Sequence, residues 1–580
     1  WLRIFKGMAT QNTGFGGGST ISQQLAKNLF PRKKFKIPGV GLLINKIREN
    51  ITSIKLESIY DKEELISLYL NTVPFGGDRF GINVASKYFY NKKASELEPQ
   101  EAATLVGMLK ASTALDPTRN PENSKKRRDL VLGRMLKNGN FSLTNKKLPT
   151  VSKLLKEGKI TEDEYNVAVA KPLGASKYVN EYYDGLAPYL REYLRIVEMP
   201  KILKSNLRED GTEYSLYRDG LKIYTSVDSK MQKYAEESVQ KHMSYLQTQF
   251  YKHWKGYPNE KPWGDDRWLD EQMVRSLRYQ SLKSQGADTI VIDSIFKKVK
   301  VPMTVFTWKD GGSDTDTLMT PYDSIKHYFL MLNTGFMVLD HKKSAIKAWV
   351  GGTNFKHFRF DHILSKRQVG STFKPIVYAT AVKDSISPCR YFSNAQKSFG
   401  DWTPRNANHS YGGWYSMMGG LTYSVNVVAA RIIEEVGIQK SIDMAKSLGV
   451  TSELPREYGI SLGSADVSLF DMMKVYGTFA NKGIRPDPKI VFKITDRRGN
   501  IIYEDKQYLE DVGTGEENRA LSEDQAVVMS RMLRSVIDRG TGNKLRSQYV
   551  PDGEFAGKTG TTQNHSDGWF IGFNEELTTG

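Results

Sequence analysis

The sequence contains one cysteine, Cys389, among 580 residues. A single thiol excludes an intrachain disulfide and any multi-cysteine zinc site. Nothing around Cys389 points to activation, so it reads as a small buried side chain rather than a nucleophile. No stretch approaches the ~18–20 uninterrupted apolar residues of a membrane-crossing helix. There is no signal peptide, no short-period repeat and no recognisable nucleic-acid-binding motif. The chain starts at Trp1 without a methionine and stops after "DGWFIGFNEELTTG", which reads as a strand and the start of a hairpin. These ends are those expected of an internal piece of a longer protein, with an anchor upstream.

What is present is a large chain of ordinary apolar content, too long for one core, so two or more domains are expected. Lys and Arg number 83 against 65 Asp and Glu, a formal charge of +18. That excess favours an anionic partner such as a nucleic acid, a membrane surface or a phosphorylated substrate, although a solvated lysine-rich surface explains much of it.

Residues 1–172 read as mainly helical. "EPQEAATLVGMLKAS" (98–112) has an amphipathic rhythm, and "KRRDLVLGRMLKNG" (126–139) ends in a glycine stop. In 158–173, Thr161 is an N-cap with Glu164 as its capping-box partner. The region 174–222 is irregular, "GLKIYTSVD" (220–228) alternates like a strand, and 229–247 is helical again. "GGSDTDT" (311–317) reads as a hairpin turn. From 335 onward, two strands around a short turn (335–352) precede helices at 374–384, 424–436, 467–482 and 523–538. Strands return at 488–504 and 567–573, as in a sheet covered by helices.

"RQVGSTFKPIVYAT" (367–380) sets Ser371 three residues before Lys374. The spacing alone is uninformative, since Ser238/Lys241, Ser294/Lys297 and Ser344/Lys347 also fit. Ser344 lies in a strand-like run, where residues three apart face opposite ways, and Ser238 lies on a polar helix. Ser371 differs because Pro375 is tolerated only near a helix start. Hydroxyl and amine then share one face of the first turn, where the helix dipole and free N–H groups favour an oxyanion. Apolar surroundings would lower the lysine pKa and let a neutral amine act as base. By itself, a capping serine followed by a snorkelling lysine explains the segment equally well.

Two further stretches bear on this choice. "TYSVNVVAARIIEEVG" (422–437) puts Ser424 and Asn426 at the head of an amphipathic helix, where the plainer reading is an N-cap serine. "FAGKTGTTQNHSDGWFIGF" (555–573) puts Lys558, Thr559, Gly560 and Thr561 on a strand. Gly560 would admit a ligand close to the backbone, and Thr559 and Thr561 would share a face. The plainer reading there is an edge strand and a turn.

In this order, "RQVGSTFKP", "SVNVVAAR" and "GKTGTTQNHSDGWFIGF" resemble the transpeptidase domain of the class A penicillin-binding proteins. "YGISLGSADVSLFDMMKVYGTFANKGI" (458–484) resembles that family's long helical connection. The resemblance implies that Ser371 forms an acyl-enzyme with a D-alanyl-D-alanine stem peptide and that Lys374 takes its proton. Ser424 would relay a proton to the leaving amine, and Asn426 would hold Lys374 and the substrate amide. Lys558 would support the electrostatics and, with the Thr559 and Thr561 hydroxyls, the substrate carboxylate. The N–H groups of Ser371 and Thr561 would form the oxyanion hole.

In the first half, "GFGGGSTISQQLAKNLF" (14–30) runs from flexible glycines into a helix for which Ser19 is a candidate cap. Gln24 and Lys27 lie near Thr20 on one side of it. A glycine-rich loop before a lysine-bearing helix can cradle phosphates, but no Gly-Lys-Ser/Thr ends it, so it is not a P-loop. The stretch resembles the second motif of the peptidoglycan glycosyltransferase domain of the same family. "NKIRENITSIKLES" (45–58) resembles the third, with Lys46 and Glu49 at matching positions, and 63–112 matches the family's next segments. By this resemblance Glu49 is the second of two key carboxylates, against a plainer reading as a surface acid paired with Lys46. Lys27 and Lys46 meet the pyrophosphate of the donor, and Thr20, Gln24 and Asn28 line the donor or acceptor cleft. Two departures stand out. The first motif, which carries the base glutamate, should lie before Trp1, so the sequence as it stands is not expected to polymerise glycan. The family also usually has arginine where Asn45 stands, and Arg48 is the candidate to compensate. "FPRKKFKIPGV" (30–40) reads either as a segment lying at an anionic membrane surface or as a basic loop.

The architecture implied is multidomain. A mainly α, lysozyme-like glycosyltransferase domain (1–172) leads through a linker and lineage-specific elaboration (173–334) to an α/β transpeptidase domain of the penicillin-binding/serine β-lactamase fold (335–580). The expected substrates are lipid II and nascent peptidoglycan. The other expected partners are β-lactams, a membrane surface and cell-wall synthesis proteins, with no nucleic acid. The implied location is the bacterial cytoplasmic (inner) membrane, with the catalytic domains on its outer side. The resemblance requires no cofactor for transpeptidation and leaves room for a divalent cation in glycosyl transfer. The rivals are a serine β-lactamase-like hydrolase and a non-catalytic cell-wall scaffold. The first would be much shorter and needs a deacylating glutamate. Intact Ser371, Lys374, Ser424, Asn426 and Lys558 argue against the second.

Overall fold

The structure is a computed structural model describing residues 19–580 except 31, 33–39, 78, 138–159, 176–184, 258–259, 510–514, 551 and 563–564. The glycine-rich run 14–18 and most of the basic stretch 30–40 lie outside the described residues. The chain divides into two compact units. The first holds Trp1–Asp184, Arg195–Lys222 and Thr495–Ile502; the second holds Gly185–Leu194, Ile223–Ile494 and Tyr503–Gly580.

The first unit is helical. Its helices include α1 (Ile21–Leu29), α2 (Val40–Ile59), α3 (Lys62–Thr72), α4 (Ile82–Tyr90), α5 (Pro99–Met108), α6 (Pro121–Lys137) and α7 (Glu162–Ala170). Leu25, Leu56, Leu65, Tyr69, Phe75, Phe89 and Leu105 meet in its core. The starts of these helices are written in the sequence. Asp61 caps α3 with Glu64 closing the box, and Thr161 caps α7 with Glu164 as expected. Helix α1 is capped by Thr20 and Gln23, not by Ser19. The box needs Glu or Gln three residues after the cap, which Thr20 has and Ser19, with Ser22 in that place, lacks. Arg128 of α6 is fully buried and donates to the carbonyls of Lys171 (2.7 Å) and Val169 (3.0 Å), so it closes the C-terminal end of α7.

The second unit includes α8 (Ser229–Lys255), capped by Asp228 and longer than its sequence pattern indicated. Helices α9 (Arg267–Arg275), α10 (Leu277–Ser284) and α11 (Thr289–Lys298) precede a hairpin of β1 (Val301–Thr307) and β2 (Ser313–Met319), then α12 (Pro321–Phe329). The hairpin turn falls at 308–312, so Ser313–Thr317 are strand rather than turn. Residues 223–334, expected as linker and elaboration, thus belong to the same compact unit as residues 335–494.

The central sheet is antiparallel. Its strands are β3 (Phe336–Asp340), β4 (Ala345–Val350), β5 (Ala556–Thr561), β6 (Gly568–Phe573) and β7 (Leu577–Thr579), in the order β5-β6-β7-β3-β4. One edge, β4, is covered by α8. Gln232 Nε2 donates to the Trp349 carbonyl (2.9 Å) and its Oε1 accepts the Trp349 N–H (2.7 Å), which satisfies an edge that would otherwise seek a strand. The other edge is β5. The helices that matter for the site are α13 (Lys374–Lys383), α14 (Met417–Thr422), α15 (Asn426–Val436), α16 (Leu469–Ala480) and α17 (Glu523–Arg539). Every residue of α13 up to Val382 is buried, the mark of a helix at the centre of a domain. Helices α15 and α17 pack on it, and α16 and α17 cover the sheet.

Two sequence expectations change here. Cys389 is exposed rather than buried, because it sits in the Ser387–Arg390 turn beyond the end of α13. Ser344 lies at φ +53° in the turn between β3 and β4 rather than in a strand. Among the described residues, no helix is long and apolar enough to cross a membrane.

Candidate active site

Residues Lys366–Gln368 pair antiparallel with Asp466–Ser468, and the chain then tightens into a single 3₁₀ turn, Gly370–Phe373, that feeds α13. Pro375 falls in the first turn of that helix, where its missing N–H leaves no bond unmade. Ser371 is half-buried at the head and Lys374 is completely buried. The Lys374 amine does not bond Ser371. It donates to the Ser424 carbonyl (2.7 Å), Ser424 Oγ (3.0 Å) and Asn426 Oδ1 (2.7 Å). Burial, and then the neighbouring Lys558, push the Lys374 pKa well below the ordinary lysine range. Ser371 Oγ has no hydrogen bond among the described residues, and a serine–lysine bond of this kind is often formed only with substrate bound.

Ser424 is not the N-cap of α15. That position belongs to Val425, which has no capping oxygen. Ser424 instead sits at φ +56°, in the left-handed region. Its N–H bonds the Leu421 carbonyl (3.1 Å) and the Val425 N–H bonds the Gly420 carbonyl (2.9 Å). This is the Schellman closure of α14, with a serine in the place usually held by glycine. The exposed amides of α15 are capped from a distance. Oδ1 of buried Asn406 accepts the N–H groups of Asn426 (3.0 Å) and Val427 (3.2 Å). Asn426 Nδ2 donates to the Arg405 carbonyl (2.7 Å), which leaves its Oδ1 turned to Lys374. No feature near the Ser424 motif announces Asn406.

Lys558, on edge strand β5, is fully buried and reaches Ser424 Oγ (3.0 Å) and the Thr559 carbonyl (2.9 Å). Burial lowers its pKa to about 7. The Ser424 hydroxyl thus stands 3.0 Å from each of two amines, both of them easier to deprotonate than an ordinary lysine. Gly560 has a different role from the one its sequence suggested. A Cβ there would lie 2.8 Å from the Val369 carbonyl oxygen and 2.8 Å from Thr372 Cγ2. The close approach is made by the chain around Ser371, and this seats Ser371 against β5. Thr559 is half-buried and Thr561 exposed, on the open side of the strand. The β5–β6 hairpin is also tied to the segment before Ser371. Arg367 pairs with Asp567, and Trp569 Nε1 donates to the Gln368 carbonyl (2.9 Å).

In the first unit, Lys46 and Glu49 lie one turn apart on α2 and form an ion pair at 2.7 Å. Glu49 is a buried acid rather than a surface one, and Arg32 grips its other oxygen at 2.7 Å. Burial pushes its pKa up, but bonds from Arg32 and Lys46 outweigh that and hold it below the usual carboxylate value. Lys46 also donates to Ser19 Oγ (3.0 Å), which joins the start of α1 to this cluster. Gln24 is bonded by the Tyr69 hydroxyl (3.1 Å), and its own amide donates to the Ser19 carbonyl (3.4 Å). Lys27 is exposed and Asn28 half-exposed on the same helix, while Thr20 is occupied as the cap. Asn45 is buried and bonds back to the Gly41 carbonyl (2.8 Å). Arg48 borders a small cavity with Arg32 and Glu49. Arg32, read in the sequence only as part of a basic stretch, is the cation that completes the Glu49 site. Among the described residues no three ligating side chains gather as a metal site.

Comparison with known proteins accords with this geometry. Residues 1–136 match the Transglycosylase family, residues 334–579 the Penicillin binding protein transpeptidase domain, and residues 252–332 the Penicillin-binding protein middle domain. The last match replaces the reading of that stretch as lineage-specific elaboration. The chain is similar to Penicillin-binding protein 1A of Aquifex aeolicus, 29% identical over 579 residues that cover 97% of this chain and 72% of the relative. It is 26% identical to Penicillin-binding protein 1A of Pseudomonas aeruginosa over 97% of this chain and 73% of the relative. In fold it resembles the crystal structure of Penicillin-Binding Protein 1A from Haemophilus influenzae, at a TM-score of 0.53 and 22% identity, covering 90% of this chain and 80% of that one.

Proposed function

We propose that this chain, which belongs to the class A penicillin-binding proteins, the bifunctional synthases that polymerise and cross-link peptidoglycan, cross-links through Ser371, with the Ser424 hydroxyl relaying the proton from Lys374 to the leaving amine and Lys558 supporting the electrostatics. The observation that carries this reading is the hydroxyl 3.0 Å from both amines, in a site where both are buried.

Neutral Lys374 accepts the Ser371 proton as Oγ bonds the carbonyl carbon of the penultimate D-alanine of a stem peptide. The peptide C–N bond breaks, and the proton passes through Ser424 to the leaving amine of the terminal D-alanine. The acyl-enzyme is then attacked by an amine of a neighbouring stem. That amine gives up its proton along the reverse path, the Oγ–C bond breaks and the cross-link forms. N–H groups of Ser371 and Thr561 face the developing oxyanion, and Thr559 and Thr561 hydroxyls hold the donor carboxylate. Asn426 fixes Lys374 and the substrate amide. No cofactor enters these steps.

In the first unit, Glu49 is held ionised by Arg32 and Lys46. Lys27 and Lys46 receive the pyrophosphate of lipid II, and Thr20, Gln24 and Asn28 line the cleft for the growing glycan. No step is routed through a divalent cation. This function places the protein at the bacterial cytoplasmic membrane with both units outside, working with nascent peptidoglycan and other wall-building proteins, and makes it a β-lactam target.

The test is labelling with a fluorescent penicillin. A stable adduct at Ser371, absent in Ser371→Ala, is expected. Folded protein that takes no label defeats the proposal, and a label that turns over rapidly favours a hydrolase.

A further inference from the structure

We infer that Tyr476 is a positioning residue for the nucleophile, its hydroxyl holding the backbone of the turn that carries Ser371. The assignment rests on the transpeptidase reading above. The stretch that supplies the residue, 458–484, contributes no group to the steps of that mechanism.

With its Oγ unbonded among the described residues, Ser371 is placed by the backbone of the Gly370–Phe373 turn. One continuous segment clasps that turn on both sides of Ser371. On the upstream side, the Val369 N–H bonds the Ala465 carbonyl (3.4 Å) and the Gly370 N–H bonds the Gly463 carbonyl (3.2 Å). Gly463 stands at φ +79°, and a Cβ there would lie 2.0 Å from the Gly370 carbonyl oxygen, so the two backbones are in direct contact. Asp466–Ser468 then pairs with Lys366–Gln368, and Ser468 caps α16. About two turns into that helix, Tyr476 Oη donates to the Thr372 carbonyl (3.0 Å), on the downstream side of Ser371.

Tyr476 is fully buried, with its ring edge-on to Phe479 at 6.0 Å. Burial pushes its pKa far above the ordinary tyrosine value, so the hydroxyl stays protonated and remains a donor. Thr372 is also fully buried, and its own hydroxyl donates to the Val369 carbonyl (2.6 Å). One residue therefore receives a bond from α16 and passes one back to the start of the turn, which straps the chain on either side of Ser371. A nucleophile that must stand about 3–3.5 Å from a carbonyl carbon, in line for attack, depends on such a strap. Without it, substrate still binds at Thr559, Thr561 and Asn426, which Tyr476 does not bond, but Oγ is less often in position to react.

The experiment follows labelling by a fluorescent penicillin against its concentration, which separates the Kd of the non-covalent complex from the acylation rate constant. In that reaction the Oγ–C bond forms, the lactam C–N bond breaks and the ring nitrogen takes the proton. Tyr476→Phe is expected to lower the rate constant about tenfold, as loss of one buried hydrogen bond on a positioning element does, with Kd unchanged. Unfolded protein lowers the final extent of labelling and not the rate constant, so instability cannot imitate the effect. Tyr378→Phe is the control. Tyr378 is equally buried, on α13, and its hydroxyl has no hydrogen-bond partner among the described residues, so its removal leaves the rate constant at the wild-type value. Tyr476→Phe with the wild-type rate constant overturns the inference, whatever its Kd, and leaves the transpeptidase reading intact. An equal fall in Tyr378→Phe also overturns it, because thinning the core would then suffice. Wild type that takes no label overturns the function itself.

Discussion

Ser424 offers a test in which stability separates two variants that activity does not. Its φ of +56° costs an L-residue about 1–2 kcal/mol relative to the right-handed region. Glycine escapes that cost but loses roughly 0.5–1 kcal/mol more conformational entropy on folding than alanine. Ser424→Gly and Ser424→Ala both delete the hydroxyl that meets Lys374 and Lys558 at 3.0 Å. They share the loss of two contacts, each worth about 0.5–1.5 kcal/mol, and differ only in the backbone. We expect the glycine variant to be at least as stable as the alanine variant, and more stable by up to about 1.5 kcal/mol. The measure is the urea midpoint at unchanged slope. Both should fall by about 10²-fold or more in acylation by a fluorescent penicillin, the usual scale for removing a positioned proton-transfer group. An alanine variant more stable than the glycine variant would refute the strained C′ assignment. Near-normal acylation in either would refute the relay.

Two further outcomes concern the same site. Lys558 has a folded pKa of about 7 against the ordinary 10.5, so between these values the unfolded chain binds more protons and stability rises with pH. Lys558→Met should flatten that rise in urea unfolding from pH 7 to 10.5 and stabilise the protein most at and below pH 7; an unchanged slope would show that the amine is not buried in solution. The same substitution removes a cation beside Lys374, so the acid limb of any residual acylation should move to higher pH. Gly560→Ala would place a Cβ 2.8 Å from the Val369 carbonyl oxygen and Thr372 Cγ2, an overpacking worth about 1–3 kcal/mol, and should reduce penicillin labelling although no catalytic group is touched. Adding Thr372→Ser removes only the Cγ2 contact and should not restore labelling; wild-type labelling of Gly560→Ala would show that β5 need not abut the Ser371 turn.

What was legible in the sequence was chemistry confined to one continuous element. Ser371 and Lys374 share a turn and a tolerated proline, Lys558–Thr561 share a strand, and Lys46 and Glu49 share a helical face, so each pair could be placed on one local element, although it took the resemblance of the flanking motifs, not the spacing, to single them out. The helices and strands after residue 335 were legible for the same reason, since their periodicity and caps are local. Misplacements arose where two local signals competed or where the partner was distant. Ser19 and Thr20 both suit a helix start, and only the glutamine three residues after Thr20 decides between them. Ser424 carries no sign of a positive φ, because glycine or asparagine is the usual marker. Asn406, Tyr476 and Arg32 act on Asn426, Thr372 and Glu49 from 20, 104 and 17 residues away in sequence, and no periodicity reports a contact of that kind.

The site is one electrostatic unit rather than three motifs. Lys374 owes its lowered pKa first to burial and then to Lys558, and both amines share the hydroxyl of a residue held in a strained conformation. Removing the hydroxyl alters the hydrogen bonds of two buried amines at once, and removing Lys558 alters the proton affinity of Lys374 without touching it. Single substitutions at these three positions therefore cannot be summed. Groups in direct contact couple by amounts comparable to their individual effects, and members of one proton-transfer path fail together. The Ser424→Gly/Lys558→Met pair should accordingly lose no more acylation than the worse of its two single variants, because a relay interrupted at one atom has little left to lose at the next.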